Sequence, residues 1–353
     1  MSFSENLLQL KKQAMAQAGP MFAHIDSIAE ANTLKVLDAM RECQVSEAHF
    51  NTTSGYAYDD IGRSKIEELF AKVFGAERAL VRTNFVSGTH ALATVLFGIL
   101  RPGDKLVSIT GAPYDTMQTV IGYANESPGS LKEFGVLYDE LEMIDGKVDM
   151  AGIAGKITPD TKMVLIQRSR GYSMRNPLTI EEIGAICQEV KKVKPDCICF
   201  VDNCYGEFVD TQEPVQAGAD IMAGSLIKNP GGGVALTGGY IAGKSDLVEL
   251  CSYRLTAPGM GDELGASLAN NRMIFQGFFL APHVVAQAIK GAVFAAALFA
   301  LLGYKTLPLP TDVRGDIIQA IQLDTPEKLV AFCRGIQKYS PVDSFAAPEP
   351  WDM

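Results

Sequence analysis

Histidine and tryptophan are scarce in this chain, which has four of the first and one of the second among 353 residues. Its seven cysteines are an odd number scattered along the chain, which is not the pattern of a disulfide scaffold. The closest pair, Cys197 and Cys199, alternates within an apolar segment and lacks the spacing of a CxxC zinc or redox motif. We therefore expect reduced core thiols and no metal site.

Long hydrophobic runs and an excess of positive charge are also missing. The most apolar stretch, residues 292–302, is well short of the roughly 20 residues that a membrane span needs, which predicts a buried helix at a domain or subunit junction. The N-terminus lacks a basic segment followed by an apolar core, and the formal net charge is -10. These features predict a cytoplasmic protein and argue against nucleic acid or an anionic membrane as partner.

The sequence has no GxxxxGK[ST] motif, which excludes a phosphate site of the P-loop kind. It does have a regular alternation from about residue 79 to residue 242, where apolar strand-like segments with polar tips are followed by helical patterns. This alternation is typical of a parallel sheet flanked by helices. The length of the chain, together with 47% hydrophobic residues, favours a large core and two linked domains.

Lys228 follows a short strand-like segment and precedes Asn-Pro-Gly-Gly-Gly, a sequence that loosens the backbone. Its ammonium is expected at a turn above a concavity, where burial can lower its pKa and make it an amine nucleophile. A lysine before such a turn is more often a solvated surface residue, so a catalytic role depends on its neighbours.

Asp202 ends the apolar segment 197–201, which has the pattern of a buried strand. Ligands of open parallel sheets bind at the carboxyl ends of the strands, so Asp202 and Lys228 are predicted to face one pocket. Pyridoxal phosphate requires this pair, because a lysine holds its aldehyde and an acid keeps its ring nitrogen protonated. The alternative for Asp202 is an ordinary turn or capping residue.

Three small residues, Ser87, Gly88 and Thr89, stand directly ahead of a helical pattern. A helix start of this kind leaves backbone N–H groups free for a phosphate, although simple N-capping by Ser or Thr is commoner. Tyr114 follows another strand-like segment, where it is either a buried aromatic residue or a ring stacked on a planar cofactor.

Two polar segments contain candidate anion ligands. Residues 52–63 hold two tyrosines and Arg63, and residues 167–172 hold Arg168 and Arg170 just past a strand. Either segment could contact an anion, whereas an ordinary connecting loop and solvated surface arginines are the commoner alternatives.

In these motifs the chain resembles the fold-type I pyridoxal-phosphate enzymes of the cystathionine and methionine lyase group, and within it the branch called aluminium resistance protein or methionine gamma-lyase family protein. The resemblance is carried by residues 56–63, 85–90, 167–172, 202–208, 228–233 and 271–277. It implies an α/β fold with a mainly parallel seven-stranded sheet flanked by helices. The implied divisions are an N-terminal arm at 1–60, a cofactor-binding domain at 61–260, and part of a small α+β domain at 261–353.

The resemblance also implies roles for single residues. Lys228 would be the Schiff-base lysine and proton shuttle, Asp202 the partner of the pyridine nitrogen, and Tyr114 the ring-stacking residue and an acid for the leaving group. The residues implied at the phosphate are Ser87, Gly88, Thr89 and Ser225, with Tyr58 from a neighbouring subunit. Active sites shared in this way imply a homodimer or homotetramer.

The chain departs from the better-known lyases of this group at several positions. Ile227 stands where they have threonine before the lysine. Asp60 follows Tyr58 by two residues where they have an arginine, and Arg63 is a candidate substitute. Residues 167–172 replace an Asn-Pro segment that usually contacts the ring hydroxyl, and no arginine for the substrate carboxylate is identified.

These features together predict a homo-oligomeric pyridoxal-phosphate lyase that breaks a carbon–sulfur bond in a sulfur-containing amino acid. Two alternatives remain open at this point. The same cofactor could serve transamination, aldol cleavage or side-chain replacement, or the chain could be a metal-stress protein on an inactive enzyme scaffold. The sequence does not decide between β and γ elimination.

Overall fold

The computed structural model describes residues 4–123 and 127–351 as an α/β fold. Its α-helices are α1 (Glu5–Glu42), α2 (Ile61–Phe74), α3 (Gly88–Ile99), α4 (Asp115–Ile121), α5 (Ile153–Lys156), α6 (Ile180–Val193), α7 (Ser245–Leu255), α8 (Asn271–Leu301) and α9 (Pro326–Tyr339). Its strands are β1 (Arg78–Arg82), β2 (Lys105–Ser108), β3 (Leu137–Glu140), β4 (Met143–Ile144), β5 (Lys147–Val148), β6 (Thr161–Gln167), β7 (Ile198–Asp202), β8 (Ile221–Ser225), β9 (Gly239–Gly243), β10 (Lys305–Leu307) and β11 (Ala320–Gln322).

Seven of these strands form one sheet in the order β1-β9-β8-β7-β6-β2-β3. Neighbouring strands are parallel except at β9, which runs antiparallel to both β8 and β1. Asp202 at the end of β7 lies opposite Ala223 of β8, so the carboxyl ends of these two strands share one edge of the sheet. The mainly parallel, seven-stranded sheet predicted from the sequence is confirmed.

Both faces of the sheet are covered, which explains the continuous apolar pattern of its strands. Val164 and Cys199 point into a core that includes α2, α6 and α8, whereas Leu165 and Phe200 point into the core built with α3 and α7. The thiols of Cys197, directly before β7, and of Cys199, within β7, are buried and free, as the sequence predicts.

The apolar stretch at 292–302 belongs to a longer helix than the sequence predicted. By length and composition alone, the 31 residues of α8 suffice to cross a membrane. Phe275, Phe278 and Val285 on this helix are buried in the core that also contains residues of α1 and α2. Core helices have the same length and composition, so α8 is weak evidence for a membrane span.

A separate two-stranded sheet of β10 and β11 follows α8, and α9 follows in turn with no buried residue. The connection between these strands reaches the main sheet, because Asp316 Oδ2 accepts hydrogen bonds from Ser169 Oγ at 2.8 Å and from the Arg170 N–H at 3.2 Å. The expected divisions at residues 60 and 260 stay predictions.

Candidate active site

A cavity of about 460 Å³ lies at the carboxyl ends of β7 and β8. Its walls come from the starts of α3 and α4, the loop after β7 and the turn after β8. The predicted site residues on these walls are Ser87, Gly88, Thr89, Tyr114, Asp202, Ser225 and Lys228. The structure therefore brings every residue to which the resemblance assigned a site role, except Tyr58, to one cavity, while their individual roles stay predictions.

Lys228 follows the end of β8 and precedes a 3₁₀ turn at Asn229–Gly231. Its Nζ lies 3.8 Å from the centroid of the Tyr205 ring. Burial by itself would lower the pKa of this ammonium, but its electrostatic interactions with the ionisable groups around it, Cys204 and Tyr205 ahead of Asp202, raise that pKa above its ordinary value. The expectation of a lowered pKa for Lys228 is therefore wrong for the cofactor-free protein.

Asp202 is the last residue of β7, and its side chain is buried. Its Oδ1 accepts a hydrogen bond from the Cys204 N–H at 3.1 Å. Burial raises the pKa of the Asp202 carboxyl, and the nearby Lys228 ammonium opposes that rise. A carboxyl group thus faces the same cavity as the lysine, at the neighbouring strand end.

The start of α3 offers donors for an anion. Ser87 caps this helix by accepting the His90 N–H at 3.1 Å, so the capping alternative considered for Ser87 is correct. Facing the same helix start, the Ser225 Oγ is buried and has no hydrogen-bond partner among the described residues. A Cβ added at Gly88 would lie 3.2 Å from the Ser225 Cβ and 3.3 Å from the Cys204 Sγ, so the wall packs tightly there and favours a small residue.

Tyr114 is tied to the cavity wall at both ends. Its hydroxyl lies 3.0 Å from the Thr89 Oγ1, and its N–H donates to the Gln167 Oε1 at 3.0 Å. Burial, followed by the Asp202 charge, raises the pKa of the Tyr114 phenol well above its ordinary value. This side chain is therefore a protonated phenol at neutral pH.

The two arginines after β6 both have partners within the protein. Arg168 is completely buried, with its Nη1 2.8 Å from Asn203 Oδ1 and 3.6 Å from Glu213 Oε2. Arg170 donates to the carbonyl oxygens of Ser173 and Leu307. Both side chains are buried, so the interpretation as solvated surface arginines is wrong, whereas a contact with a bound anion stays a prediction.

Arg63 does not reach the cavity either. Its guanidinium donates to the carbonyl oxygens of Ala57 at 2.8 Å, Gly265 at 2.7 Å and Glu263 at 3.0 Å, which joins the loop before α2 to the loop before α8. Tyr58, which lies in the same loop before α2, is exposed. In the structure, Arg63 is thus a structural residue, and the predicted contact of Tyr58 with a neighbouring subunit stays a prediction.

Sequence reasoning missed three residues of the loop after β7. Cys204 and Tyr205 line the cavity, and Glu207 lies behind it with its carboxyl group completely buried. The signal for all three was their position, because they directly follow the strand end that carries Asp202.

A buried polar network lies behind this loop. The Tyr240 hydroxyl donates to Glu207 Oε1 at 2.8 Å, and Asn203 Nδ2 donates to Glu213 Oε2 at 2.9 Å. Asn203 also links Arg168 to the Tyr240 hydroxyl through contacts of 2.8 and 3.2 Å. Burial raises the pKa of both carboxyl groups, that of Glu207 to about 8.

The donor set of the cavity fits pyridoxal phosphate. The fit rests on an unpartnered buried hydroxyl at Ser225, a helix start with a tightly packed small residue at Gly88, and a lysine and a buried carboxyl group on adjacent strand ends. Within residues 4–123 and 127–351, no group of three or more His, Cys, Asp or Glu side chains is placed to hold a metal ion.

Comparison with known proteins gives similarities over nearly the whole chain. The model of the methionine gamma-lyase family matches residues 7–353. The uncharacterized protein YnbB of Bacillus subtilis is 49% identical over 346 residues, which are 97% of this chain and 82% of YnbB. The L-methionine gamma-lyase of Pseudomonas deceptionensis is 25% identical over 219 residues, which are 61% of this chain and 49% of that enzyme.

A solved structure from Listeria monocytogenes, provisionally described as a cystathionine beta-lyase involved in aluminum resistance, has a TM-score of 0.96 and 52% sequence identity. The matched region covers 98% of this chain and 86% of the Listeria chain. These similarities confirm the fold-type I architecture predicted from the sequence.

Proposed function

Because this chain belongs to the methionine gamma-lyase family, we propose that it is a cytoplasmic, pyridoxal-phosphate-dependent carbon–sulfur lyase acting on a sulfur-containing amino acid. The family and the fold imply a lyase. The observation that carries the finer proposal is the placement of Lys228, Asp202 and the unpartnered Ser225 hydroxyl around one cavity.

The residues of the cavity divide the work between binding and proton transfer. Lys228 would hold the aldehyde, Asp202 the pyridine nitrogen, and Ser225 with the backbone of Gly88 and Thr89 the phosphate. When bound, pyridoxal phosphate supplies an electron sink for negative charge at the substrate α-carbon.

Proton transfer is assigned to two side chains. The Nζ of Lys228, once free, would take the proton from the α-carbon as a general base. The Tyr114 hydroxyl, which stays protonated because burial raises its pKa, would donate its proton to the sulfur of the departing thiolate. The hydrogen bond between Tyr114 and Thr89 fixes the position of that hydroxyl.

We also propose a homodimer or homotetramer. Tyr58 is exposed and does not line the cavity of its own chain, which agrees with a role at the phosphate of a neighbouring subunit. Sedimentation should therefore give a species of at least two chains, and a Tyr58→Ala variant should bind the cofactor more weakly.

The main test is cofactor attachment. Wild-type protein incubated with pyridoxal phosphate should develop a visible absorbance band, and borohydride reduction should fix the cofactor on the peptide that contains Lys228. A Lys228→Ala variant should show neither result, while Lys147→Ala, which removes an exposed lysine of β5, should behave as wild type. Wild-type protein without the band would refute the proposal.

A product assay identifies the reaction. Methionine, cystathionine and cysteine are supplied in turn, and thiol, ammonia and 2-oxo acid are measured. Release of all three supports elimination, with 2-oxobutyrate from methionine indicating γ cleavage and pyruvate from cystathionine indicating β cleavage. Amino-group transfer or thiol exchange without ammonia would instead support an aminotransferase or a side-chain replacement enzyme.

A further inference from the structure

Tyr205 has no role in the proposed function, although it is the aromatic residue nearest to the Lys228 amine. Its ring centroid lies 3.8 Å from Nζ, and the half-buried ring lines the cavity. We propose that Tyr205 is a positioning residue whose ring face holds the free ammonium of Lys228. This inference rests on the proposed function, because it gives the lysine a defined place when it is not bound to the cofactor.

The backbone of Tyr205 is held in an unusual conformation. Its φ is +72°, in the left-handed region that residues with a Cβ rarely adopt. Left-handed backbone at a bulky residue persists only where the surrounding structure fixes it, and it is concentrated at functional sites. This conformation accompanies the placement of the ring under Lys228 Nζ.

The loop that carries Tyr205 is fixed from two sides. A Cβ added at Gly206 would lie 2.5 Å from the Cδ of the buried Arg168, so the loop packs closely against that side chain. The Asn229 Nδ2 donates to the Glu207 carbonyl at 3.0 Å, which ties the loop to the residue directly after Lys228. Direct contacts therefore join the loop that carries the ring to the turn that carries the amine.

A fixed position for the Lys228 ammonium has a chemical purpose. A lysine that alternates between a bound and a free form has a long, flexible side chain that must stay near the substrate α-carbon after release. The face of an aromatic ring attracts an ammonium within about 6 Å, and most strongly where water is excluded. Tyr205 would therefore hold the Lys228 ammonium that forms when the released neutral amine takes the α-proton, and would keep it close to the substrate without a salt bridge.

Four ionisable groups interact electrostatically with the Lys228 ammonium: Asp202 at the end of β7, and Cys204, Tyr205 and Glu207 in the loop after it. Tyr205 presents its ring face to the ammonium, whereas the other three groups interact with it only electrostatically. A variant that removes only the ring separates this contribution from the others.

The experiment measures the pKa of Lys228 in the cofactor-free protein, by competitive labelling with acetic anhydride across pH and peptide mass spectrometry. Tyr205→Gly removes the ring and suits the left-handed backbone, while Tyr205→Phe keeps the ring and removes the hydroxyl. We expect Tyr205→Gly to lower the pKa of Lys228 by about one unit, and Tyr205→Phe to leave it within about 0.3 unit of wild type. If the glycine variant does not fold, Tyr205→Asn replaces it, since asparagine tolerates the same backbone.

An unchanged pKa in the variant without the ring would overturn the proposal, as would equal shifts in the glycine and phenylalanine variants. Borohydride trapping of pyridoxal phosphate on the same proteins distinguishes this failure from failure of the proposed function. If the cofactor is trapped on Lys228 but Tyr205→Gly leaves the pKa unchanged, only the proposed role of Tyr205 is refuted. If Tyr205→Gly lowers the pKa of Lys228 but the wild-type protein traps no cofactor, the lyase proposal is refuted and the role of Tyr205 is supported.

Discussion

The loop after β7 separates two regions that differ in hydrogen bonding: the cavity contains a buried hydroxyl without a partner, and the rear side is a polar network in which only Glu207 Oε2 and Arg168 Nε lack partners among the described residues. On the cavity side lie Asp202 and Tyr205, and across the cavity from them the Ser225 hydroxyl has no partner among the described residues. On the rear side, the carboxyl groups of Glu207 and Glu213 are buried in a network with an arginine, an asparagine and a tyrosine.

This difference separates binding groups from supporting groups. A buried polar group without a partner destabilises a protein unless a ligand or water satisfies it, so the open side is suited to a ligand. The rear network satisfies most of its own groups and thereby fixes the loop that presents Asp202. We therefore expect rear substitutions to change the free energy of unfolding, and front substitutions to change cofactor affinity.

The largest effect is expected at Glu207 and depends on pH. Burial raises its pKa from 4.5 to about 8. Between these values the unfolded chain loses a proton that the folded chain keeps, so the free energy of unfolding falls as pH rises. The fall reaches up to about 5 kcal/mol at about 1.4 kcal/mol per pH unit. Denaturant unfolding at pH 4 and pH 9 should show this fall in wild type and a clearly smaller one in Glu207→Gln, which keeps the contributions of Asp202 and Glu213.

Glu30→Gln, which changes an exposed residue of α1, is the matched control and should keep the wild-type pH dependence. Identical pH dependence in wild type and Glu207→Gln would show that the rear carboxyl group is not kept neutral by burial.

Arg168→Met should have the next largest effect. It leaves the Glu213 carboxyl group buried without its cation, which destabilises proteins by roughly 3–5 kcal/mol. Chemical denaturation measures the loss. The double variant Arg168→Met with Glu213→Gln should recover part of it, because no charge then remains unpaired. A loss below about 1 kcal/mol in the single variant would contradict the supporting role of the network.

Ser225→Ala tests the cavity side. Removal of an unpartnered hydroxyl should leave the unfolding free energy of the cofactor-free protein unchanged or raise it by about 1 kcal/mol. Cofactor affinity should fall by about 10- to 100-fold, since a charge-assisted hydrogen bond is lost. Fluorescence titration measures the affinity.

Ser252→Ala is the control for that substitution, because Ser252 is equally buried but donates to the Glu249 carbonyl at 2.7 Å. It should lower stability by about 1 kcal/mol and leave cofactor affinity unchanged. The opposite pattern in the two serine variants would contradict the assignment of the Ser225 hydroxyl to cofactor binding.

The smallest effect is expected at Ile227, which lies exposed at the cavity rim. Ile227→Thr restores the hydroxyl found before the lysine in better-known lyases. We expect a stability change within about 0.5 kcal/mol and a gain in cofactor affinity of about two- to fivefold. Weaker cofactor binding in this variant would show that the rim at Ile227 does not face the phosphate.

The predictable part of the site follows from local pattern and one topological rule. Asp202 and Lys228 each follow a short apolar strand, and parallel strands place their carboxyl ends at one edge. Ser87 and Gly88 at the start of α3 were found from a second local pattern, small residues directly ahead of a helical segment. Residue type and spacing along the chain were sufficient for these positions.

Side-chain direction after a strand end was not predictable in the same way. Arg168 and Tyr205 both follow strand ends in polar segments, yet Arg168 turns to the rear and Tyr205 faces the cavity. The partner of Arg168, Glu213, lies in a distant segment, directly before the 3₁₀ helix at Pro214–Ala217, and Tyr205 depends on a left-handed backbone. The length of α8 was missed because Pro282 and several polar residues interrupt its apolar pattern without ending the helix.

The sequence by itself determined the α/β sheet and the chemical groups available at its strand ends, because both depend on short-range periodicity and composition. Only the tertiary structure decided which of those groups face the cavity and which are hydrogen-bonded in the buried network behind it. The physical reason is that buried polar groups need hydrogen-bond partners, and the partners of Arg168 and Glu207 come from segments far away in the chain.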